Sequence, residues 1–355
     1  MLVSSGLSRS SFFQWGKNGY LKLGFATMVG VLVSTCLILV DLAMAVPTAE
    51  ELLKALPLSD GERKDVLEGE IVRFTTEEGS DRELALGAVL LVKNVPKNLP
   101  QLWREAVVFK LVGAVTAFGE ISDKATVGDF AGVKLQPNGE KEANRYLEAE
   151  PGDTLNLDAK EISAFQALKA KGGSQAEVET LVREQLLARY QAYRENGLSG
   201  ITPYARGKEK MFQLSQDLLL ATNEAKLVAK YFPTFHQTLL TYPASQAKQP
   251  ESRFYWANVD VFSRPTLILS HRMLFNEGDA YVVADRHFYA GHEYNGLQSV
   301  GGAFPAKEGS LLVALYRIST DGVAGFGSSA KHPVARGLMG PYFEETFEGI
   351  RKKAE

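Results

Sequence analysis

The stretch DRHFYAGHEYNG at 285–296 holds Asp285, His287, His292 and Glu293, including two of the chain's five histidines. Side chains of these types bind zinc or move protons. A helical HExxH site needs a second histidine four residues after the first. His292-Glu293 is followed by Tyr-Asn-Gly296, and that histidine is absent. His287 and His292 are five apart, which in a strand points them to opposite faces. In a helix it leaves them about 140° apart around the axis. A bulge at Ala290-Gly291 would bring them back to one face. The plainer reading is a strand with Tyr281, Val283, Asp285, His287 and Tyr289 on one side. Val282, Ala284, Arg286 and Phe288 would then take the other. Polar groups in such a row suit the orientation of a ligand in an apolar pocket. Use of His287 or His292 as general acid or base, in a hydrolase or lyase, is the alternative.

Other motifs fall short of a known chemistry. Gly325-Phe-Gly327-Ser-Ser-Ala330 fits GxGxxA, but a dinucleotide fold needs a further strand and an acidic residue downstream, and the chain ends in a helix. Its glycines suit a tight turn. SxxK occurs twice, at Ser245 and Ser328, without its partner motifs, and GxSxG is absent. His271 is expected to be packed or paired, and His236 to cap a helix. Arg317, in the strand SLLVALYRIS, reads as a buried charge in need of a partner.

The elements that would position these residues follow from periodicity. An amphipathic lead helix is expected over 48–68, then strands at 70–76 and 84–92 and a helix over 97–109 carrying Trp103. Further strands are expected at 113–121 and 131–136. The middle is helical: Asp158 caps 159–170, Gly172-Gly173-Ser174 opens a helix over 177–195, and 208–231 repeats the apolar spacing. Strands return at 254–262, 265–275, 280–290 and 310–319, with a hairpin turn at 276–279. A helix over 332–353, interrupted by glycine and Pro341, ends the chain. This order is α+β: a curved antiparallel sheet, a helical insertion at about 158–232 and a long C-terminal helix.

The ends and composition bound the location. Arg9, Lys17 and Lys22 precede the apolar run Leu23–Val40, and Ala43-Met44-Ala45 fits a signal-peptidase site. Residues 1–45 therefore read as a signal peptide, or as an N-terminal membrane anchor through 23–40. Either way, residues 46–355 would form a single domain outside the cytoplasm, periplasmic or facing outward from the inner membrane. The only cysteine, Cys36, lies inside the apolar run, so no disulfide and no cysteine-ligated metal is expected. The net charge of −3, without a basic block, speaks against nucleic acid.

Several of these features together resemble a group of exported bacterial proteins. They are the element order, the Tyr255-Trp256 pair, RHFYAGHEYNGL, LYRISTDG and GFG before the last helix. That group is similar in layout to the START-like, helix-grip superfamily. The resemblance covers about 65–135 and 250–355 and implies a curved sheet wrapping the C-terminal helix, with an apolar cavity between them. It implies binding of a lipid or another small apolar molecule, no cofactor, and no fixed catalytic residues. The expected ligand-binding set is Tyr255, Trp256, Asp285, His287, Tyr289, His292 and Arg317, with Phe254 and Phe288 in support. The alternative is an envelope structural or partner-binding protein whose core is filled.

Overall fold

The computed structural model describes residues 46–93, 99–136, 138–152, 154–207, 209–244 and 248–354. The basic start, the apolar run 23–40 and Cys36 lie outside the described residues, as do Ser245 and its neighbours 246–247. The described residues belong to one compact unit.

Local sequence starts most of the early helices. Thr48, Ser59, Asp158 and Ser174 each form a capping box with a glutamate three residues on. They open α1 (Ala49–Ala55), α2 (Asp60–Leu67), α6 (Ala159–Ala170) and α7 (Gln175–Asn196). The expected single lead helix is thus two, because Pro57 cannot continue α1 and Ser59 opens a new box. The helix expected over 97–109 is also two short ones, α3 (Leu99–Arg104) and α4 (Val107–Leu111), broken where Ala106 turns left-handed at φ 51°. α5 (Gly139–Leu147), unforeseen, follows a 3₁₀ turn, and 131–136 is irregular rather than a strand. The segment 208–231 divides into a two-residue strand and two helices, α8 (Leu214–Asn223) and α9 (Lys226–Tyr231), with α10 (Pro233–Thr241) after them. α11 (Ser328–Ala354) runs without a break through Pro333 and Pro341.

The strands are β1 (Val72–Thr75), β2 (Glu83–Val92), β3 (Val115–Ile121), the pair β4 (Tyr204–Ala205) and β5 (Met211–Phe212), β6 (Glu251–Val261), β7 (Arg264–Glu277), β8 (Ala280–Ala290), β9 (Gly296–Ala306) and β10 (Gly309–Ser319). Eight of them form one sheet, in the order β1-β2-β10-β9-β8-β7-β6-β3. Every neighbouring pair is antiparallel. β6 to β10 is a continuous meander. β9 escapes periodicity because GLQSVGGAFPA is rich in glycine. A Cβ at Gly301 would lie 2.6 Å from the Val313 carbonyl oxygen of β10, so only glycine allows that approach.

The protein is α+β, with a large antiparallel sheet, a helical insertion and a C-terminal helix. The sheet is covered on both faces, which is why LALGAVLLV in β2 is buried at every position. On one face α1, α2 and the helical middle pack against Trp256, Leu269, Val89 and Phe275. On the other, α3, α4 and α11 lie over Tyr255, Ile268, Leu90 and Ile318.

Candidate functional site

The face under α11 is not filled. A space of about 470 Å³ lies between β7–β10, α4 and α11. A second of about 200 Å³ lies toward α3 and carries Trp103 on its wall. Both are lined mainly by apolar side chains, and both are bordered by Val108, Arg272, Asp285, Ser299, Tyr316 and Thr346. A sheet-to-helix layer keeps such a gap when the facing side chains do not meet. Here Gly301, Ala303 and Ala314 leave one stretch of floor low.

Strand register assembles the polar part of this floor. Arg272 on β7 pairs with Asp285 on β8, Asp285 with Ser299 on β9, and Ser299 with Tyr316 on β10. Directly paired residues of an antiparallel sheet project from the same face. Four positions distant in sequence therefore form one row across four strands where the two spaces adjoin.

The row is neutral in sum. Arg272 Nε donates to Asp285 Oδ2 at 2.9 Å, and both side chains are largely buried. The Arg272 guanidinium lies 3.9 Å from the centre of the Phe109 ring. Ser270 Oγ donates to Asp285 Oδ1. Burial raises the Asp285 carboxyl, but the Arg272 charge and the hydrogen bonds from Ser270 and Arg272 outweigh it and hold the group below its ordinary range. His287 Nδ1 shares a hydrogen bond with the Tyr294 hydroxyl at 2.9 Å, and Nε2 stands 3.7 Å from Asp285 Oδ1. Burial lowers the His287 pKa against the pull of Asp285, which favours the neutral ring. Burial pushes the Tyr316 phenol up to about 12, so it remains a hydrogen-bond donor.

The expected site residues divide between the two faces. Asp285 and His287 line the cavity. Tyr255 lies on the same face, beside Arg272 and Phe109. Tyr289 does not join them. The β7–β8 register slips between Leu269 and Ser270, which pair with Tyr289 and His287, so Phe288 is the extra residue. The expected strand alternation is thus broken by a bulge at Phe288, ahead of Ala290-Gly291, and it sends Phe288 and Tyr289 together into the core under the helical middle. Trp256 lies in that same core, where its Nε1 donates to the Asp129 carbonyl oxygen at 2.9 Å. His292 follows β8 in a loop and bonds to Thr266 Oγ1 at 3.0 Å and the Pro265 carbonyl oxygen at 2.8 Å. It shares no partner with His287.

Arg317 also faces the helical side, by strand alternation from Tyr316. It finds the partner its sequence demanded in Glu83, at 2.7 Å. His271 is packed there too, against Tyr193 and Phe254. Periodicity gave no sign of Arg272, Ser299 or Tyr316, because nothing local marks which residues a register will align. It also gave no sign of Arg286. That fully buried cation is bonded to neutral acceptors: Gln298 Oε1, the Leu239 carbonyl oxygen, Thr222 Oγ1 and the Tyr193 hydroxyl.

Among the described residues no cluster of three His, Cys, Asp or Glu side chains could hold a metal ion. None of the described helices is long and apolar enough to cross a membrane. No protein-family model, no curated protein and no solved structure matches the chain.

Proposed function

We propose that this is an exported protein that binds an apolar molecule of the lipid class between its sheet and its C-terminal helix, in a helix-grip-like arrangement. The observation that carries this reading is the space under α11. A lining that is mainly apolar, with a few polar groups at one place, is the usual composition of a small-molecule site. The larger space alone, at about 470 Å³, falls within the customary range for such sites of roughly 300–1,000 Å³. A filled-core envelope protein would bring large side chains into this layer, and Gly301, Ala303 and Ala314 do the opposite.

Native mass spectrometry of the full chain recovered from its own cells, followed by solvent extraction, tests the reading. The expected result is a discrete co-purifying lipid. A clean unliganded mass, with no uptake from a lipid mixture, would overturn it.

A further inference from the structure

Resting on that reading, we infer that the ligand is an uncharged amphiphile whose head offers hydroxyl or ester oxygens to Arg272, Ser299 and Tyr316, and not a carboxylate or phosphate. Three observations lead there. Arg272 donates to Asp285 through Nε alone; its Nη2 makes no hydrogen bond among the described residues, and the side chain borders both spaces. A donor left unpaired beside a largely apolar space is costly, so an acceptor brought by a ligand gains by filling it. The Ser299 and Tyr316 hydroxyls border the same two spaces, and neither makes a hydrogen bond among the described residues. Two polar groups beside the row are already committed, Ser270 to Asp285 and Tyr294 to His287.

Charge decides the kind of head. The Arg272 cation is already matched by Asp285 on the adjoining strand. An anion drawn to Arg272 would also meet the Asp285 carboxylate and leave one uncompensated buried charge. An uncharged oxygen fills the Arg272 donor and adds no charge. Adjacent strands are about 4.8 Å apart, so the row from Arg272 to Tyr316 spans more than one oxygen and suits a head with several. Tyr316 lies against Phe343 of α11 at 4.2 Å between ring centres, which puts this end of the row directly beneath the helix.

The test is displacement of Nile red, an uncharged apolar fluorophore, from the full chain by monopalmitoylglycerol and by palmitate at pH 8. The expected result is displacement by the glyceride at a concentration about tenfold lower, corresponding to about 1.4 kcal/mol. Ser299→Ala/Tyr316→Phe removes only two hydroxyls and should erase most of that preference while Nile red still binds. Arg272→Met/Asp285→Leu, which removes both charges together, should do the same. Equal or tighter binding of palmitate, or a preference that survives in the hydroxyl-deleted protein, overturns the inference and leaves the cavity reading standing. Failure of Nile red and both lipids to bind at all overturns both.

Discussion

Arg272 and Asp285 face each other across β7 and β8, with Nε 2.9 Å from Oδ2, on the floor of a largely apolar space. Asp285→Asn leaves the guanidinium buried without its counter-charge and should cost about 3–5 kcal/mol of stability. Replacing both partners, as Arg272→Met/Asp285→Leu, should cost less than Asp285→Asn alone. Urea unfolding of the three proteins decides it. A double variant less stable than Asp285→Asn would contradict the pairing.

Acid should weaken the fold partly through its buried histidines. Burial holds His271, His287 and His292 below their ordinary value of 6.5. The unfolded chain therefore binds more protons than the folded one as pH falls through and below 6.5, and stability rises with pH in that window. Asp285, also held low, adds to the loss only further down, as pH falls below its ordinary 3.8. Glu83 and Asp217, raised by burial, work in the opposite direction. The difference between wild type and His287→Gln isolates one histidine. Stability of the variant should fall less between pH 7 and pH 5, and parallel curves would refute this.

Val283 lines the smaller space from β8. Val283→Phe should fill part of it, weakening Nile red uptake about tenfold. Because the ring enters empty volume, stability should change by less than the roughly 1–3 kcal/mol of overpacking. A loss of stability with unchanged uptake would show that this space closes in solution.

Trp256 tests whether the two faces are independent. Trp256→Ala should destabilise the protein by about 3–5 kcal/mol, since it empties a packed core. The glyceride-over-palmitate preference of the folded fraction should stay as it was. A changed preference in calorimetric titration would link Trp256 to the binding face.

The β6–β7 hairpin turns on two non-glycine residues with positive φ, Phe262 at 51° and Ser263 at 64°. Left-handed backbone strains such residues, and glycine adopts it freely. Ser263→Gly should therefore raise stability by up to about 1 kcal/mol, read as a higher urea midpoint.

Helix starts were legible because a capping box is local: Asp158 and Ser174 carry their glutamates three residues away. The strand 280–290 was legible through alternation, which held from Ala280 to His287. Alternation then failed at Phe288. A bulge answers to the partner strand, and β7 lies in another part of the sequence. β9 was missed because its glycines, needed for close strand approach, remove the β-branched signal on which strand recognition rests.

The sequence by itself determined the α+β order, the capped helical middle, most of the strands toward the C-terminus and the closing helix. These follow from period, caps and turns, whose physics acts over a few residues. Only the tertiary structure decided which face each side chain joins. It joined Arg317 to Glu83, sent Trp256 and Tyr289 into the helical core, and aligned Arg272, Asp285, Ser299 and Tyr316 under α11. Register between distant strands is set by the packing of the whole sheet against its two helical layers, and no short stretch of sequence carries that information.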